Sequence, residues 1–148
     1  MTRPAFENGD AQRSRCILLA EDDDDLRALL VDALRSEGFG VIECANGFAL
    51  VEALVSRLEV GEPAFDLVVS DVRMPGFSGL SVLEGLSGWD ELQRLPMVLI
   101  TAFGNARLHE LARQFGAVSL LEKPFETAAL MRVVREALDG SNVDSVNA

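Results

Sequence analysis

The sequence predicts an α/β fold: one doubly wound parallel sheet of five strands with helices on both faces. Five short apolar runs alternate with five amphipathic segments along the chain. Such alternation joins strands by right-handed crossovers and lays helices against both sides of a parallel sheet. The length of 148 residues and a hydrophobic fraction of 49% suit a single domain with a proper core.

The first run, CILLA at 16–20, reads as a buried strand, since parallel strands covered on both faces are continuously apolar. After it, Leu26, Leu29, Leu30, Ala33 and Leu34 recur at helical spacing, with Gly38 placed to stop the helix. The second run is VIEC at 41–44. Asn46 can cap the helix that follows, which carries Leu50, Ala53, Leu54 and Leu58 and ends at Gly61.

The third run, DLVVS at 66–70, leads to a shorter helix from about Gly79 to Leu86. The fourth, MVLIT at 97–101, precedes a helix with Leu108, Leu111, Ala112 and Phe115 on one side, before Gly116. The fifth, VSLL at 118–121, precedes a helix with Leu130, Met131, Val134 and Leu138, followed by Gly140. Residues 1–14 and 140–148 are small, polar and aperiodic, so they are expected to be disordered tails around a folded core of 15–139.

A net charge of -11 and a pI near 4.4 argue against nucleic-acid or anionic-membrane partners and favour cations, including metal ions. Cys16 and Cys44 fall inside apparent strands and read as small core residues in a reducing compartment, not as a disulfide. The opening residues lack an apolar signal core, and no apolar run approaches the ~20 residues of a membrane span. A cytoplasmic location is expected.

Open parallel sheets bind ligands at the carboxyl ends of their strands. There the first strand is followed by Glu21 and Asp22, the third by Asp71, the fourth ends in Thr101, and the fifth is followed by Glu122, Lys123 and Pro124. Carboxylates gathered this closely repel by ~4 kcal/mol per close pair at an effective dielectric near 20, which a divalent cation would offset. Oxygen donors from few side chains suit Mg²⁺ with phosphate oxygens completing its shell. Lys123 could hold a phosphoryl oxygen, Thr101 could donate to one, and Asp71 could be the nucleophile of an aspartyl-phosphate. An EF-hand fails, since alternation from Asp22 puts Leu26 at the third ligand position and supplies no central glycine.

The segments LLAEDD, DLVVSDVRMPGFSGL, VLITA and LEKPF resemble, in order and spacing, the receiver domains of two-component response regulators, over about residues 15–139. The resemblance implies a flavodoxin-like sheet with strand order 2-1-3-4-5. It also implies Asp71 as phosphoacceptor, Glu21 and Asp22 as the acid pair for Mg²⁺, and the Arg73 carbonyl as a metal ligand. Thr101 would be the switch hydroxyl, Lys123 the phosphate-binding lysine, and the Lys123-Pro124 bond cis. The implied partners are a sensor histidine kinase or histidine phosphotransfer protein, and a downstream protein on the face of helix 4, strand 5 and helix 5. On this reading the chain catalyses only its own phosphorylation and dephosphorylation.

Four positions depart from the commoner family pattern or modulate it. Leu120 stands where the family often has Tyr or Phe, and the chain contains no tyrosine. Glu21 replaces the commoner Asp, with an arm long enough to reach metal through water. Arg73 and Phe103 lie two residues beyond Asp71 and Thr101 and flank the path of a hydrolytic water, where their bulk is expected to slow loss of the phosphoryl group.

Two other functions compete with this one. A phosphorylation-independent docking module would not need the complete acid, hydroxyl and lysine set. An aspartate-nucleophile phosphohydrolase would want an acid where Arg73 stands. His109 reads as an exposed surface residue and Trp89 as a packing or partly exposed residue in or just after the third helix. The apolar fifth helix allows either a monomer or a phosphorylation-dependent dimer.

Overall fold

A computed structural model describes residues 15–61, 64–92 and 94–139. The expected disordered tails lie outside the described residues. The elements run β1 (Cys16–Ala20), α1 (Asp24–Ser36), β2 (Gly40–Cys44), α2 (Gly47–Val60), β3 (Leu67–Asp71), α3 (Gly79–Leu86), β4 (Met97–Thr101), α4 (Ala106–Gln114), β5 (Ser119–Glu122) and α5 (Thr127–Leu138). All strand pairs are parallel, in the order β2-β1-β3-β4-β5.

Successive strand residues point to opposite faces and so divide the core into two layers. Leu18, Val68 and Leu99 pack on one side with Leu50 and Leu54 of α2, Val82 and Leu86 of α3, and Ala112 of α4. Ile17, Val69 and Val98 pack on the other with Leu30, Val31 and Leu34 of α1 and Leu130, Val133 and Val134 of α5.

Helix starts follow from local capping. Asp23, Asn46, Ser78 and Asn105 each cap a helix by accepting a hydrogen bond from the backbone N–H three residues on. Gly61 ends α2 in the left-handed conformation at φ 76°, where glycine has no Cβ penalty.

The structure corrects several expected boundaries. β2 starts at Gly40, β3 runs from Leu67 to include Asp71, and β5 covers Ser119–Glu122. Asp66 lies just before its strand, where its carboxylate accepts the Cys16 N–H at 2.8 Å. On α1, Val31 is buried while Leu29 is 55% exposed, so the apolar face is rotated from the expected one. On α5, Leu130, Val133, Val134 and Ala137 are turned into the core. Its apolar side packs against the sheet.

Candidate functional site at the carboxyl edge of the sheet

Glu21, Asp71, Thr101 and Lys123 come from four different strand ends. Glu21 follows β1 directly, and its N–H donates to the Cys44 carbonyl, which fixes it beside the sheet edge. Asp71 and Thr101 are the last residues of β3 and β4, and both are buried. Lys123 follows β5 and donates its backbone N–H to the Thr101 carbonyl at 2.7 Å.

The Lys123 ammonium joins the acids. Nζ lies 2.7 Å from Asp71 Oδ2 and 3.1 Å from Glu21 Oε1. The Asp71 contact is a hydrogen bond. The Glu21 contact is a charge contact without hydrogen-bond alignment, so the buried Oε1 has no hydrogen-bond partner. The other Glu21 oxygen accepts the Asp23 N–H at 3.0 Å. Leaving a buried carboxylate oxygen unsatisfied is costly unless a cation answers it.

The electrostatics follow from this crowding. Burial pushes the Glu21 carboxyl above its ordinary range, and the Asp71 charge adds to that, against the Asp23 N–H and Lys123. Burial opposes the Lys123 charge, but the hydrogen bond and charge of Asp71, followed by the contact with the Glu21 carboxylate, hold the ammonium above the ordinary lysine range.

Candidate ligand oxygens of Glu21, Asp22 and Asp71 all lie within 4.8 Å of one another, with Asp22 on the exposed side. The Arg73 N–H donates to Asp71 Oδ1 at 3.2 Å, tying the β3–α3 loop to the carboxylate. The Thr101 hydroxyl is engaged elsewhere, accepting the Phe103 N–H at 3.1 Å. The sheet edge thus gathers the acids and the ammonium in direct contact, with Thr101 on the same edge. Gly79 closes the loop because a Cβ there would stand 2.4 Å from the Asp71 carbonyl oxygen. No side chain larger than hydrogen fits without moving the acceptor strand.

The Lys123-Pro124 peptide is cis, as the resemblance implied. Two supporting contacts were not foreseen from the sequence. Arg27 donates to the Glu21 carbonyl oxygen at 2.8 Å and pairs with Asp24 and Glu43. The Arg73 guanidinium lies 5.0 Å from the Phe103 ring centroid, so the two flanking side chains form one cation–π pair. An arginine one turn into the helix after an acid cluster was the available signal for the first, whereas nothing in the sequence signalled the second.

His109, exposed as expected, lies 2.7 Å through Nε2 from Glu122 Oε2. Trp89 falls just after α3 and is 55% exposed. Neither Cys16 nor Cys44 takes part in a disulfide. Leu120 is half-buried on β5 against the α2/α3/α4 core layer.

Known proteins share this sequence and geometry. Residues 17–135 match the family model described as the response regulator receiver domain. The chain is 36% identical over 121 residues to the transcriptional regulatory protein FixJ of Azorhizobium caulinodans, covering 82% of this chain and 54% of FixJ. It is 34% identical over 140 residues to the transcriptional regulatory protein PdtaR of Mycobacterium tuberculosis, covering 93% of this chain and 63% of PdtaR. The chain therefore spans only about half to two thirds of the length of these relatives.

Among solved structures, the signal receiver domain of a signal transduction histidine kinase from Syntrophus aciditrophicus superposes with a TM-score of 0.75 at 27% identity, covering 86% of this chain and 92% of that one. The chemotaxis protein CheY4 of Vibrio cholerae shares the fold with a TM-score of 0.72 at 22% identity, covering 84% of this chain and 98% of that one. The chain belongs to the receiver domains of two-component response regulators.

Proposed function

We propose that residues 15–139 form a receiver that accepts a phosphoryl group on Asp71 from a sensor histidine kinase or a histidine phosphotransfer protein. The observation that carries this reading is the Lys123 ammonium held against both Asp71 and Glu21 at the sheet edge. An Asp71 carboxylate oxygen attacks phosphorus, the bond from phosphorus to the donor imidazole nitrogen breaks, and the electron pair leaves with that nitrogen. Lys123 then pairs with the phosphoryl oxygens instead of the carboxylate alone. Thr101 turns its hydroxyl from the Phe103 N–H toward a phosphoryl oxygen.

The donor set fits Mg²⁺: three clustered carboxylates, one with an unsatisfied buried oxygen. Glu21, Asp22 and Asp71, with the Arg73 carbonyl, would hold it. The ion would neutralise charge on the phosphoryl oxygens. Chemistry of this kind stops at the chain's own phosphorylation and dephosphorylation.

The switched surface is the face of α4, β5 and α5, and Leu120 makes its response one of aliphatic repacking, without an aromatic swing. Among the described residues no helix is long and apolar enough to cross a membrane, which is compatible with a cytoplasmic receiver. A complete set of acids, hydroxyl and lysine favours this function over a phosphorylation-independent docking module.

Incubation with Mg²⁺ and acetyl phosphate, followed by intact mass, tests the reading, with beryllofluoride binding as a check against a poor donor. One Mg²⁺-dependent phosphoryl adduct, missing in Asp71→Asn, is expected. The absence of both the adduct and beryllofluoride binding would overturn it.

A further inference from the structure

An apolar trough of about 560 Å³ runs between α2 and α3, on the flank of the domain away from the acid cluster. Leu54, Val55 and Leu58 form one wall, and Phe77, Leu86 and Trp89 are on the other. Of the eight large apolar side chains exposed among the described residues, three line this trough, Val55, Phe77 and Trp89, and Phe48 packs edge-on against Phe77 with ring centroids 5.3 Å apart. Scattered exposed apolar residues need no explanation, but a contiguous patch of this kind marks an interaction surface.

Charge restricts what can cover it. Glu59 and Glu91 line the trough itself. Across α2, α3 and the 87–92 turn the acids are Glu52, Glu59, Glu84, Asp90 and Glu91, against a single cation, Arg57. Arg57 is turned to Phe65, with its guanidinium 5.3 Å from that ring and donating to the Phe65 carbonyl oxygen. A second copy of this flank would bring acid against acid. An apolar strip with basic edges would meet complementary charge on both sides.

The trough also has an open floor. Gly85 lines it, and among the described residues no atom outside its chain neighbours and its own helix backbone lies within 4 Å of where its Cβ would stand. The glycine serves no packing need of its own helix and leaves space for an incoming side chain.

We infer that the trough between α2 and α3 is a docking site for a basic amphipathic helix of a partner protein, which seats apolar residues at i, i+3/i+4 and i+7 between Val55 and Trp89 and sets Lys or Arg against Glu59 and Glu91. The site is separate from the phosphoryl chemistry of Asp71.

Trp89 is the chain's single tryptophan, and there is no tyrosine, so its emission reads the trough directly. The probe is an amidated peptide of about 18 residues, long enough to hold a helix, with leucines on one face and lysines on the others. A version with glutamate for lysine is the control. Titrated into the full chain, the lysine peptide is expected to shift Trp89 emission to the blue and saturate at one peptide per chain. The glutamate peptide should bind at least about tenfold more weakly.

Gly85→Leu, which fills the floor, and Val55→Lys, which places a cation in the wall, should each weaken the lysine peptide by about tenfold or more, with unchanged circular dichroism. Equal binding of both peptides, no shift of Trp89, or binding indifferent to both substitutions would overturn the inference. So would a blue shift that grows with protein concentration alone and accompanies a dimer in sedimentation, since that would give the trough to a second copy.

Discussion

Asp71→Asn separates the structural from the ion-binding role of the acid cluster. In the parent, Asp71 lies 2.7 Å from the Lys123 ammonium, an attraction of about 6 kcal/mol at an effective dielectric near 20. Against this, its oxygens lie within 4.8 Å of Glu21, a repulsion of about 3.5 kcal/mol on the same footing. Asp22 is exposed and adds less than about 1 kcal/mol. Neutralising Asp71 loses the first, recovers the others and relieves the desolvation of a buried carboxylate. The variant is therefore expected to fold, within about 2 kcal/mol of the parent.

Mg²⁺ should distinguish the two proteins far more sharply. At a hundredfold excess over its dissociation constant the ion stabilises the parent by about 2.7 kcal/mol, which raises the melting temperature by about 5–10 °C. If the missing charge weakens the ion about a hundredfold, the same concentration gives about 0.4 kcal/mol and a rise of about 1 °C. Thermal melts with and without Mg²⁺ decide it. An equal rise in both proteins would refute the placement of Asp71 in the ion site, and no rise in the parent would refute the site itself.

Three further outcomes are expected. Gly79→Ala puts a Cβ against the Asp71 carbonyl oxygen and should lower stability by about 1–3 kcal/mol in urea titrations, with phosphoryl acceptance reduced alongside. Burial, with the Glu52 charge adding to it, pushes the Cys44 thiol up to about 11 from 9.0. Because the folded value is raised, its contribution is intact below the unfolded pKa and is lost as pH climbs from about 9 to about 11, by about 2 kcal/mol, so the stability difference between the parent and Cys44→Ala should shrink across that window. Arg73→Ala removes half of the cation–π pair flanking the acceptor and should speed loss of the phosphoryl group several-fold, whereas an unchanged rate, or a parent that already dephosphorylates rapidly, would count against a shielding role.

The site was more legible than the packing around it. A parallel strand covered on both faces has to be apolar, so the polar residues gathered at the end of each run mark the carboxyl edge; that logic brought Glu21, Asp71, Thr101 and Lys123 to one edge without knowledge of the sheet order. It could not tell that Thr101 bonds Phe103 in this state, because a hydroxyl's partner depends on loop geometry. Leu29 and Val31 show a second limit. Either can complete a helical stripe on α1, and the face chosen is the one that lets Arg27 reach the Glu21 carbonyl. On α2, Val51, Leu54, Val55 and Leu58 are all apolar, so periodicity alone could not reveal that Val55 looks outward into a trough.

Lys123 is made 52 residues after Asp71, and β5, which delivers it, is the last and outermost strand of the sheet. A nascent chain therefore exposes its acids well before the ammonium that steadies them, and contacts this distant in sequence form only after a large loss of chain freedom. A molecule whose final strand has not docked, or has peeled away, still presents Asp71 but lacks its counter-charge. If Asp71 is the phosphoacceptor proposed above, docking of the final strand is a precondition for phosphorylation, and a copy without it would carry no phosphoryl signal.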